Sequence, residues 1–332
     1  MKKSKCTIYD CEFDNYVEGI IIGNKVFAIS DSNNPIPAKC KICEYVDYGM
    51  VQFYVGEYDY YLNEDGDAKW GFFNFSDGEI IVPPIYDQAD CFSGNRARVI
   101  LEDKHGFLDQ YGKVAIDLIW DDSYGSFYEG LCAVKKHLLW GYINKEGRVV
   151  IEPRYEFAEQ FKLIKNGVFL ARVKENGKYG YIDKNGKFVI KPHFDMVEQF
   201  LLIKKEVSVA LVENDGKYGY IDNDDNYIFE PCFDDAKSFW GGGFAPVMKN
   251  GLWGFVDIHG DLAVEFQFEQ VGNVYFNDRF YTVQKNNHWG IMDENLNIIM
   301  MENDARFLIY YDKKIYLKNG RITCERRFNK NI

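Results

Sequence analysis

Residues 140–161 read WGYINKEGRVVIEPRYEFAEQF, and variants of this phrase recur along the chain. In the clearest copies an aromatic residue and a glycine precede two apolar residues, an Asp or Asn, a turn, and a proline-aromatic-acid step. Successive copies are 35, 35, 39, 39, 35 and 36 residues apart, and the glycines that mark them, as repeats one to seven, are Gly71, Gly106, Gly141, Gly180, Gly219, Gly254 and Gly290. A fixed period of this size indicates one structural unit that is stacked many times.

Repeat three predicts a meander of three antiparallel strands. Short apolar alternation places these strands at residues 130–135, 139–144 and 148–152. Asn144 opens the turn between the second and third strands, and Gly147 supplies the positive φ that closes it. Pro153 has no N–H to donate, so we expect it to end the third strand. Glycine at position 141 is expected to let a neighbouring ring lie flat on the strand.

The ends of the chain depart from the repeat, as terminal capping units do. We therefore divide the chain into a degenerate N-terminal capping repeat at 1–68, seven repeats at 69–301, and an atypical C-terminal cap at 302–332. The predicted fold is an all-β array of about seven to eight three-stranded units. An open twisted superhelix is favoured, because three strands are one fewer than a propeller blade generally has. A closed β-propeller is the alternative.

The order aromatic-Gly-aromatic-Ile-Asp, turn Gly, and Ile-x-Pro-x-Phe/Tyr-Asp-x-Ala-x-x-Phe resembles the WG-repeat family of bacterial β-repeat proteins. The resemblance covers about residues 69–301. It implies an all-β array with no enzymatic activity in the repeats themselves. It transfers no binding residues to this chain.

The charge balance narrows the class of partner. The net charge is -12 and the sequence pI is about 5.0, which argues against a nucleic-acid partner that needs its phosphates neutralised. The negative electrostatic field of such a chain favours encounter with a basic protein. Acidity also keeps a strand-rich protein soluble, and this explains the charge without a partner.

The cysteines and the N-terminus indicate a cytoplasmic protein without cofactors. The basic start at residues 1–5 is not followed by an apolar signal core, and no apolar run is long enough to span a bilayer. The eight cysteines are accordingly expected to be reduced thiols. A structural zinc on Cys6, Cys11, Cys40 and Cys43 is the alternative that their number allows.

Acidic residues recur after the exit aromatic and form a periodic row. Turn hydrogen bonding accounts for such a row, and a stripe that engages a cationic partner is the functional alternative. Its members are Asp87, Asp121, Glu156, Asp195, Asp234 and Glu269. The polar turn with Asp222, Asp224 and Asp225 lacks the glycine and glutamate of an EF-type loop, so calcium is not predicted there.

Departures from the repeat are where specificity is expected. The 39-residue spacings place extra residues in 161–168 and 200–207, which enlarges two adjacent loops on one side. We predict partner contacts at Asp121, Glu156, Asp195, Asp234, Asp222, Asp224, Asp225, Phe200 and Trp240.

The leading functional prediction is a non-enzymatic protein-binding scaffold, for example a cytoplasmic immunity or inhibitor protein that covers a basic toxin or effector. No Ser/His/Asp set, phosphate-binding glycine loop or repeated histidine is present; His105 is interpreted as a tolerated replacement of the repeat aromatic. The alternative is a glycan- or cell-wall-binding module that stacks sugars on Trp140, Trp253 and Trp289. An enzymatic role would need a pocket within residues 1–68.

Overall fold

A computed structural model describes most of the chain as β-strands. The described residues are 3–10, 15–30, 32–38, 49–57, 67–165, 167–203, 207–240, 242–275, 280–293, 295–300, 308–310, 313–318 and 321–327. Within these ranges no helix is long and apolar enough to cross a membrane. The expectation of an all-β repeat fold is confirmed. The chain divides into two compact units, Met1–Phe161 and Lys162–Ile332.

The first unit contains three antiparallel sheets that follow one another along the chain. A seven-stranded sheet has the order β4-β3-β2-β1-β5-β6-β7, so the N-terminal strands join the sheet of repeat one. Its strands are β1 (Lys3–Asp10), β2 (Asn15–Ile22), β3 (Lys25–Ile29), β4 (Pro35–Pro37), β5 (Met50–Val55), β6 (Lys69–Asn74) and β7 (Ile80–Tyr86). The next two sheets are β8 (Gln88–Ala89), β9 (Ala97–Leu101), β10 (Lys104–Leu108) and β11 (Val114–Trp120), then β12 (Asp122–Ser123), β13 (Leu131–Lys136), β14 (Leu139–Asn144) and β15 (Val149–Tyr155); β16 (Phe157–Ala158) follows.

The second unit continues the same pattern. Two of its sheets carry an additional short strand, β17 (Lys162–Lys165) beside β18 (Val168–Glu175), and β22 (Leu201–Ile203) beside β23 (Val207–Asn214). The remaining strands of these sheets are β19 (Lys178–Ile182) and β20 (Phe188–Phe194), then β21 (Met196–Val197), β24 (Lys217–Asp222) and β25 (Tyr227–Phe233). The last sheets are β26 (Asp235–Ala236), β27 (Phe244–Lys249), β28 (Leu252–Asp257) and β29 (Leu262–Phe268); β30 (Gln270–Tyr275), β31 (Phe280–Lys285), β32 (His288–Asp293) and β33 (Ile298–Met300); and β34 (Leu308–Tyr310), β35 (Lys313–Lys318) and β36 (Arg321–Arg327).

The sheets of repeats two, three, five and six contain the predicted three-stranded meander and a two-residue fourth strand that the sequence pattern did not predict. In repeat three, β12 pairs with β13 through Asp122↔Lys135 and Ser123↔Val134. A two-residue strand carries no readable alternation, which is why the pattern missed it. Four strands are also the number of a typical propeller blade, so strand number no longer favours the open array. The choice between an open and a closed array stays a prediction.

The repeat glycine makes room for backbone, which differs from the expectation that it makes room for a ring. Strands β14 and β15 pair at Trp140↔Tyr155 and at Tyr142↔Ile151, so a bulge lies opposite Gly141. A Cβ on any of the seven repeat glycines would lie 2.7 Å or less from the carbonyl oxygen of the third strand. Pro153 lies in this bulge and the strand runs on to residue 155, so the expectation that the proline ends it is wrong.

The Asx turn after the second strand has the predicted geometry. Asn144 Oδ1 accepts the backbone N–H groups of Glu146 at 3.1 Å and Arg148 at 2.9 Å, and Gly147 has a φ of 77°. The same pattern of bonds to the second and fourth residues after the turn-opening residue recurs at Asp109, Asp183, Asp222, Asp257 and Asp293.

The core of each repeat is built on the residue that follows the glycine. Tyr142 and Tyr220 are fully buried, and their rings lie 4.9 Å from those of Phe161 and Phe239. The Tyr142 hydroxyl donates to the carbonyl of Glu159 at 2.5 Å. The phenylalanine at the end of the exit step, Phe161 or Phe239, thus packs on the core ring of its own repeat.

Candidate functional site

The periodic carboxylates of the exit step are bound within the protein. Lys217 Nζ lies 2.6 Å from Asp234 Oδ1, and the backbone N–H of Asn250 donates to Asp234 Oδ2 at 2.6 Å. Asn250 is a left-handed residue, with φ 52°, in the next hairpin turn. A lysine on Oδ1 and a turn N–H on Oδ2 recur at Asp87, Asp121 and Asp195. Turn hydrogen bonding thus accounts for these positions without a partner.

The lysine and the acid change together from repeat to repeat. Aspartate follows wherever a lysine stands two residues before the glycine, whereas Leu139 and Leu252 at that position accompany Glu156 and Glu269. Glu269 Oε2 still accepts the N–H of Asn287 at 3.1 Å, and Glu156 is exposed. This pairing is visible in the sequence alone and identifies the row as part of the repeat.

The lowered pKa of Asp234 makes the contribution of this carboxylate to folding stability depend on pH. Its pKa is lowered first by the hydrogen bond from Lys217 and then by the N–H of Asn250. A group with a lowered folded pKa stabilises the protein above its unfolded value, here 3.8, and this contribution is lost as the pH falls through the folded pKa.

Asp234→Asn is therefore expected to lower the urea midpoint at pH 7, and the difference from wild type should shrink as the pH falls below 3.8. Asp224→Asn is the matched control, because Asp224 is exposed and makes no ion pair with a described residue. A difference between wild type and Asp234→Asn that is absent at pH 7, or that grows on acidification, would contradict the role given to this carboxylate.

In the polar turn at 222–226, the carboxylate oxygens of Asp222 accept hydrogen bonds from within the turn. Asp222 Oδ1 accepts the N–H groups of Asp224 and Asn226, both at 2.9 Å, and Asn226 Nδ2 donates to Oδ2 at 3.0 Å. Asp225 takes the place of the turn glycine with φ 67°, and burial raises its pKa. No group of three or more His, Cys, Asp or Glu side chains in the described ranges is arranged to hold a metal ion.

Both aromatic residues predicted to contact a partner lie in the core. Phe200 is 5% exposed with its ring 4.6 Å from that of Tyr181, and Trp240 is 4% exposed with its ring 4.5 Å from that of Tyr281. Phe200 is the exit phenylalanine of repeat four, equivalent to Phe161 and Phe239, and Trp240 packs on the following repeat. Their rings are therefore not part of the accessible surface.

The tryptophans that motivated a glycan site are also not openly exposed. Trp253 is 8% exposed, and Trp140 and Trp289 are half-buried. Lys135 Nζ lies over the Trp140 ring at 5.6 Å, and Lys237 Nζ lies over the Trp253 ring at 5.6 Å. Stacking on a sugar needs an open ring face, so the buried Trp253 gives the glycan alternative no support, and for Trp140 and Trp289 the alternative stays a prediction.

His105 and Ser123, two departures in repeat two, contact each other. His105 Nδ1 lies 3.1 Å from Ser123 Oγ and 4.0 Å from Asp122 Oδ1. Burial, followed by the charge of Arg98, lowers the pKa of His105. A catalytic triad has its serine and its carboxylate on opposite ring nitrogens. Here both approach the same nitrogen and Ser123 is 3% exposed, so the pair is not arranged as a triad.

The described cysteines only partly match the expectation of reduced thiols. Cys6 and Cys132 are buried free thiols, and burial raises the pKa of each to about 12. Cys232 is an exposed free thiol, but Cys91 is disulfide-bonded, which corrects the expectation for that residue. Three of the four cysteines considered for zinc, Cys11, Cys40 and Cys43, lie outside the described residues.

The two enlarged loops form a pair of hairpin extensions. We call residues 162–168 the first extension and residues 201–207 the second; they read KLIKNGV and LLIKKEV and align with an offset of 39 residues. Strand β17 pairs with the start of β18 at Leu163↔Phe169, and β22 pairs with the start of β23 at Leu202↔Ser208.

Burial within the extensions separates anchors from exposed side chains. Ile164 and Ile203, at equivalent positions, are 2% and 3% exposed and fix the hairpins to the core. Leu163 and Leu202, also equivalent, are 54% and 47% exposed, and Leu201 is 38% exposed. The sequence pattern located these loops as departures from the repeat but not which of their residues face solvent. Aliphatic side chains exposed at matching positions of neighbouring elements mark a candidate contact surface.

The two extensions lie side by side in the second unit. Strand β17 lies against both β22 and β23. The hydroxyl of Ser208, itself fully buried, donates to the carbonyl oxygen of Ile164 at 3.0 Å. This contact joins the first extension to strand β23, which follows the second extension, so the two hairpins are neighbours.

The fold and the site together define a structural repeat protein. The residues of its repeated phrase build the sheets and turns, which we call the frame, and its two extensions expose side chains that the other repeats lack. A model of the WG containing repeat matches residues 70–104, 106–137, 140–179, 179–218, 218–253 and 253–289. These segments make up more than half of the chain, which therefore belongs to the WG containing repeat family. The predicted seventh copy, around Gly290, lies outside the matched segments.

Solved structures resemble the chain only distantly. A eukaryotic initiation factor is 11% identical, with 90% of this chain and 96% of that chain covered and a TM-score of 0.41. Hsv2 of Kluyveromyces lactis is 10% identical over 77% and 95% of the two chains, with a TM-score of 0.33. AztD of Citrobacter koseri is 11% identical over 90% and 94%, with a TM-score of 0.34. Scores of this size do not establish a shared fold, and no curated protein matches the chain.

Proposed function

We propose that this protein is a non-enzymatic protein-binding scaffold that binds its partner through the two extensions. The observation that carries the proposal is the exposure of Leu163 and Leu202 at equivalent positions of adjacent hairpins, each above a buried isoleucine. Aliphatic side chains that are exposed on neighbouring elements mark a candidate surface for binding another protein.

The structural roles of the repeated residues favour a scaffold function. The glycine admits the bulge, the Asx residue closes the turn, and the exit acid caps the next hairpin. These roles leave the repeat phrase without a group set aside for chemistry. Enzymatic activity is therefore not part of the proposal.

The charge of the chain favours a basic partner. At -12, the field of the whole molecule speeds encounter with a cationic protein and disfavours nucleic acid. An inhibitor or immunity protein that covers a basic effector is one form of such a scaffold. Cytoplasmic placement stays part of the proposal, although a disulfide at Cys91 is more usual outside the cytoplasm.

Affinity capture from the source cell tests the proposal with three baits. Wild type is expected to retain a basic protein that the double variant Leu163→Lys/Leu202→Lys loses, because both leucines are exposed and their replacement leaves the core intact. Val150→Lys/Val189→Lys is the control, with side chains 44% and 41% exposed on third strands. If wild type retains no protein at any salt concentration, or all three baits retain the same ones, the proposal fails.

A further inference from the structure

A cleft of about 390 Å³ opens beside His105 in repeat two. The side chains that line it include those of Asp87, Arg98, Ile100, Asp103, His105 and Asp121. We propose that this cleft binds a small organic cation, an alkyl amine whose ammonium group contacts Asp103 and His105. The inference goes beyond the proposed function, because the cleft belongs to the first unit and the extensions belong to the second.

Repeat two has smaller side chains than its neighbours at the place where the cleft lies. The residue before the repeat glycine is Trp or Tyr in the other six repeats and His105 here. In repeats three and four a lysine stands opposite this ring, and Lys135 Nζ lies over the Trp140 ring at 5.6 Å. Opposite His105 the register places Ile100. Repeat two therefore lacks both the large ring and the ammonium group that covers it.

Asp103 gives the cleft a carboxylate that makes no ion pair with a described residue. The other charged side chains that line the cleft are paired, namely Asp87 with Lys69, Asp121 with Lys104, and Arg98 with Asp90. The position of Asp103, three residues before the repeat glycine, is itself a glycine in repeats four, five and six. Aspartate in its place adds one negative charge that the described part of the fold does not neutralise.

His105 supplies a second acceptor for an ammonium group. Its Nδ1 lies 3.1 Å from Ser123 Oγ and 4.0 Å from the carboxylate of Asp122, which favours a proton on this nitrogen. The pKa of His105 is lowered by burial first and then by the charge of Arg98, so the ring is neutral at pH 7. Nε2, which has no hydrogen-bond partner among the described residues, is then an acceptor.

These groups select a cation with one positive charge and an apolar body. One unpaired carboxylate balances one ammonium group, whose three N–H donors suit the carboxylate and the imidazole nitrogen together. Ile100 and Ala68 also line the cleft and offer apolar contact to an alkyl chain. A metal cation is disfavoured, because no group of three or more metal-binding side chains occurs in the described ranges. The amine is either a free molecule or a lysine side chain of a protein.

Dansylcadaverine, which joins a fluorescent group to a primary ammonium through a five-carbon chain, is the probe for this site. Fluorescence anisotropy should show that the full chain binds it, and that Asp103→Asn weakens binding by about tenfold or more. Asp224→Asn is the matched control, because it removes an exposed carboxylate from a different repeat, and it should leave binding unchanged. A dansyl pentylamide, which lacks the ammonium group, should not bind.

His105→Trp tests the position of the site. This substitution restores the ring of the other repeats, so it should fill the cleft and abolish binding of the probe while the chain still unfolds cooperatively in urea. The inference is overturned if wild type does not bind dansylcadaverine, if wild type, Asp103→Asn and His105→Trp bind it equally, or if the pentylamide binds as well as the amine.

Capture from the cell with Asp103→Asn as an additional bait identifies the source of the amine. A basic protein that is retained by wild type and Asp224→Asn but lost by Asp103→Asn supplies the ammonium from a lysine side chain. A protein that all three retain equally leaves a free amine as the ligand of the cleft.

The outcomes also separate this inference from the proposed function. A protein captured through Leu163 and Leu202, together with no binding of dansylcadaverine, supports the scaffold function and overturns the amine site. Binding of the probe that depends on Asp103, with no protein captured from the cell, supports the amine site and overturns the scaffold function.

Discussion

Gly219→Ala is expected to destabilise the protein by about 3 kcal/mol. A Cβ at this position would lie 2.5 Å from the carbonyl oxygen of Phe229 and 2.7 Å from the nitrogen of Pro231. Both atoms belong to the backbone of the bulged third strand, which cannot move aside as a flexible side chain would. Urea unfolding followed by circular dichroism measures the change.

Gly216→Ala is the matched control in the same hairpin. Gly216 has a φ of +72° and no heavy atom within 4 Å of a built Cβ, so the substitution costs only the left-handed strain of about 1 kcal/mol. A loss at Gly219 no larger than the loss at Gly216 would contradict the explanation that the repeat glycine exists to admit the bulge.

Tyr220→Ala is expected to destabilise the protein by about 4 kcal/mol, whereas Tyr220→Phe should cost about 1 kcal/mol. Tyr220 is fully buried, its ring packs on Phe239, and its hydroxyl donates to the carbonyl of Lys237 at 2.7 Å. The frame accommodates phenylalanine at this position, since repeats one, two and six carry Phe72, Phe107 and Phe255 there.

The same unfolding measurement on Tyr227→Ala is the control for loss of an aromatic ring from repeat five. Tyr227 is 41% exposed, so its truncation should change the free energy of unfolding by less than about 0.5 kcal/mol. If Tyr220→Phe were as damaging as Tyr220→Ala, the hydroxyl and not the ring would dominate, and the packing account would be wrong.

The period of the sequence was sufficient to predict the repeated strands and turns, but not the bulges or the short fourth strands. The seven regularly spaced glycines, six of them preceded by an aromatic residue, predicted the all-β units, and the Asx-Gly spacing predicted the turn, because both patterns depend on local stereochemistry. The bulge opposite Gly141 was missed, since its size is set by the register between two strands and not by either strand alone. The short strand at Asp122–Ser123 was missed because two residues form no pattern.

The functional residues were harder to predict, and the reason lies in what each side chain contacts. Asp121, Asp195 and Asp234 recur in sequence because a turn N–H recurs in space, which a list of acidic residues cannot show. Comparison of the repeats with one another could have revealed it, since aspartate accompanies lysine and glutamate accompanies leucine. The exposure of Leu163 and Leu202 next to buried isoleucines needed the structure, because a Leu-Ile pair in a short loop does not show which of its two side chains faces the core.

We propose that the acidic row stabilises the fold and that the extensions bind the partner. Both statements are tested by quantitative capture with three baits: wild type, Leu163→Lys/Leu202→Lys, and Asp121→Asn/Asp195→Asn/Asp234→Asn. We expect the leucine variant to lose the partner, while the aspartate variant retains it at moderate salt despite a lower unfolding midpoint. Loss of the partner from the aspartate variant with full retention by the leucine variant would show that the acidic row, and not the extensions, binds the partner.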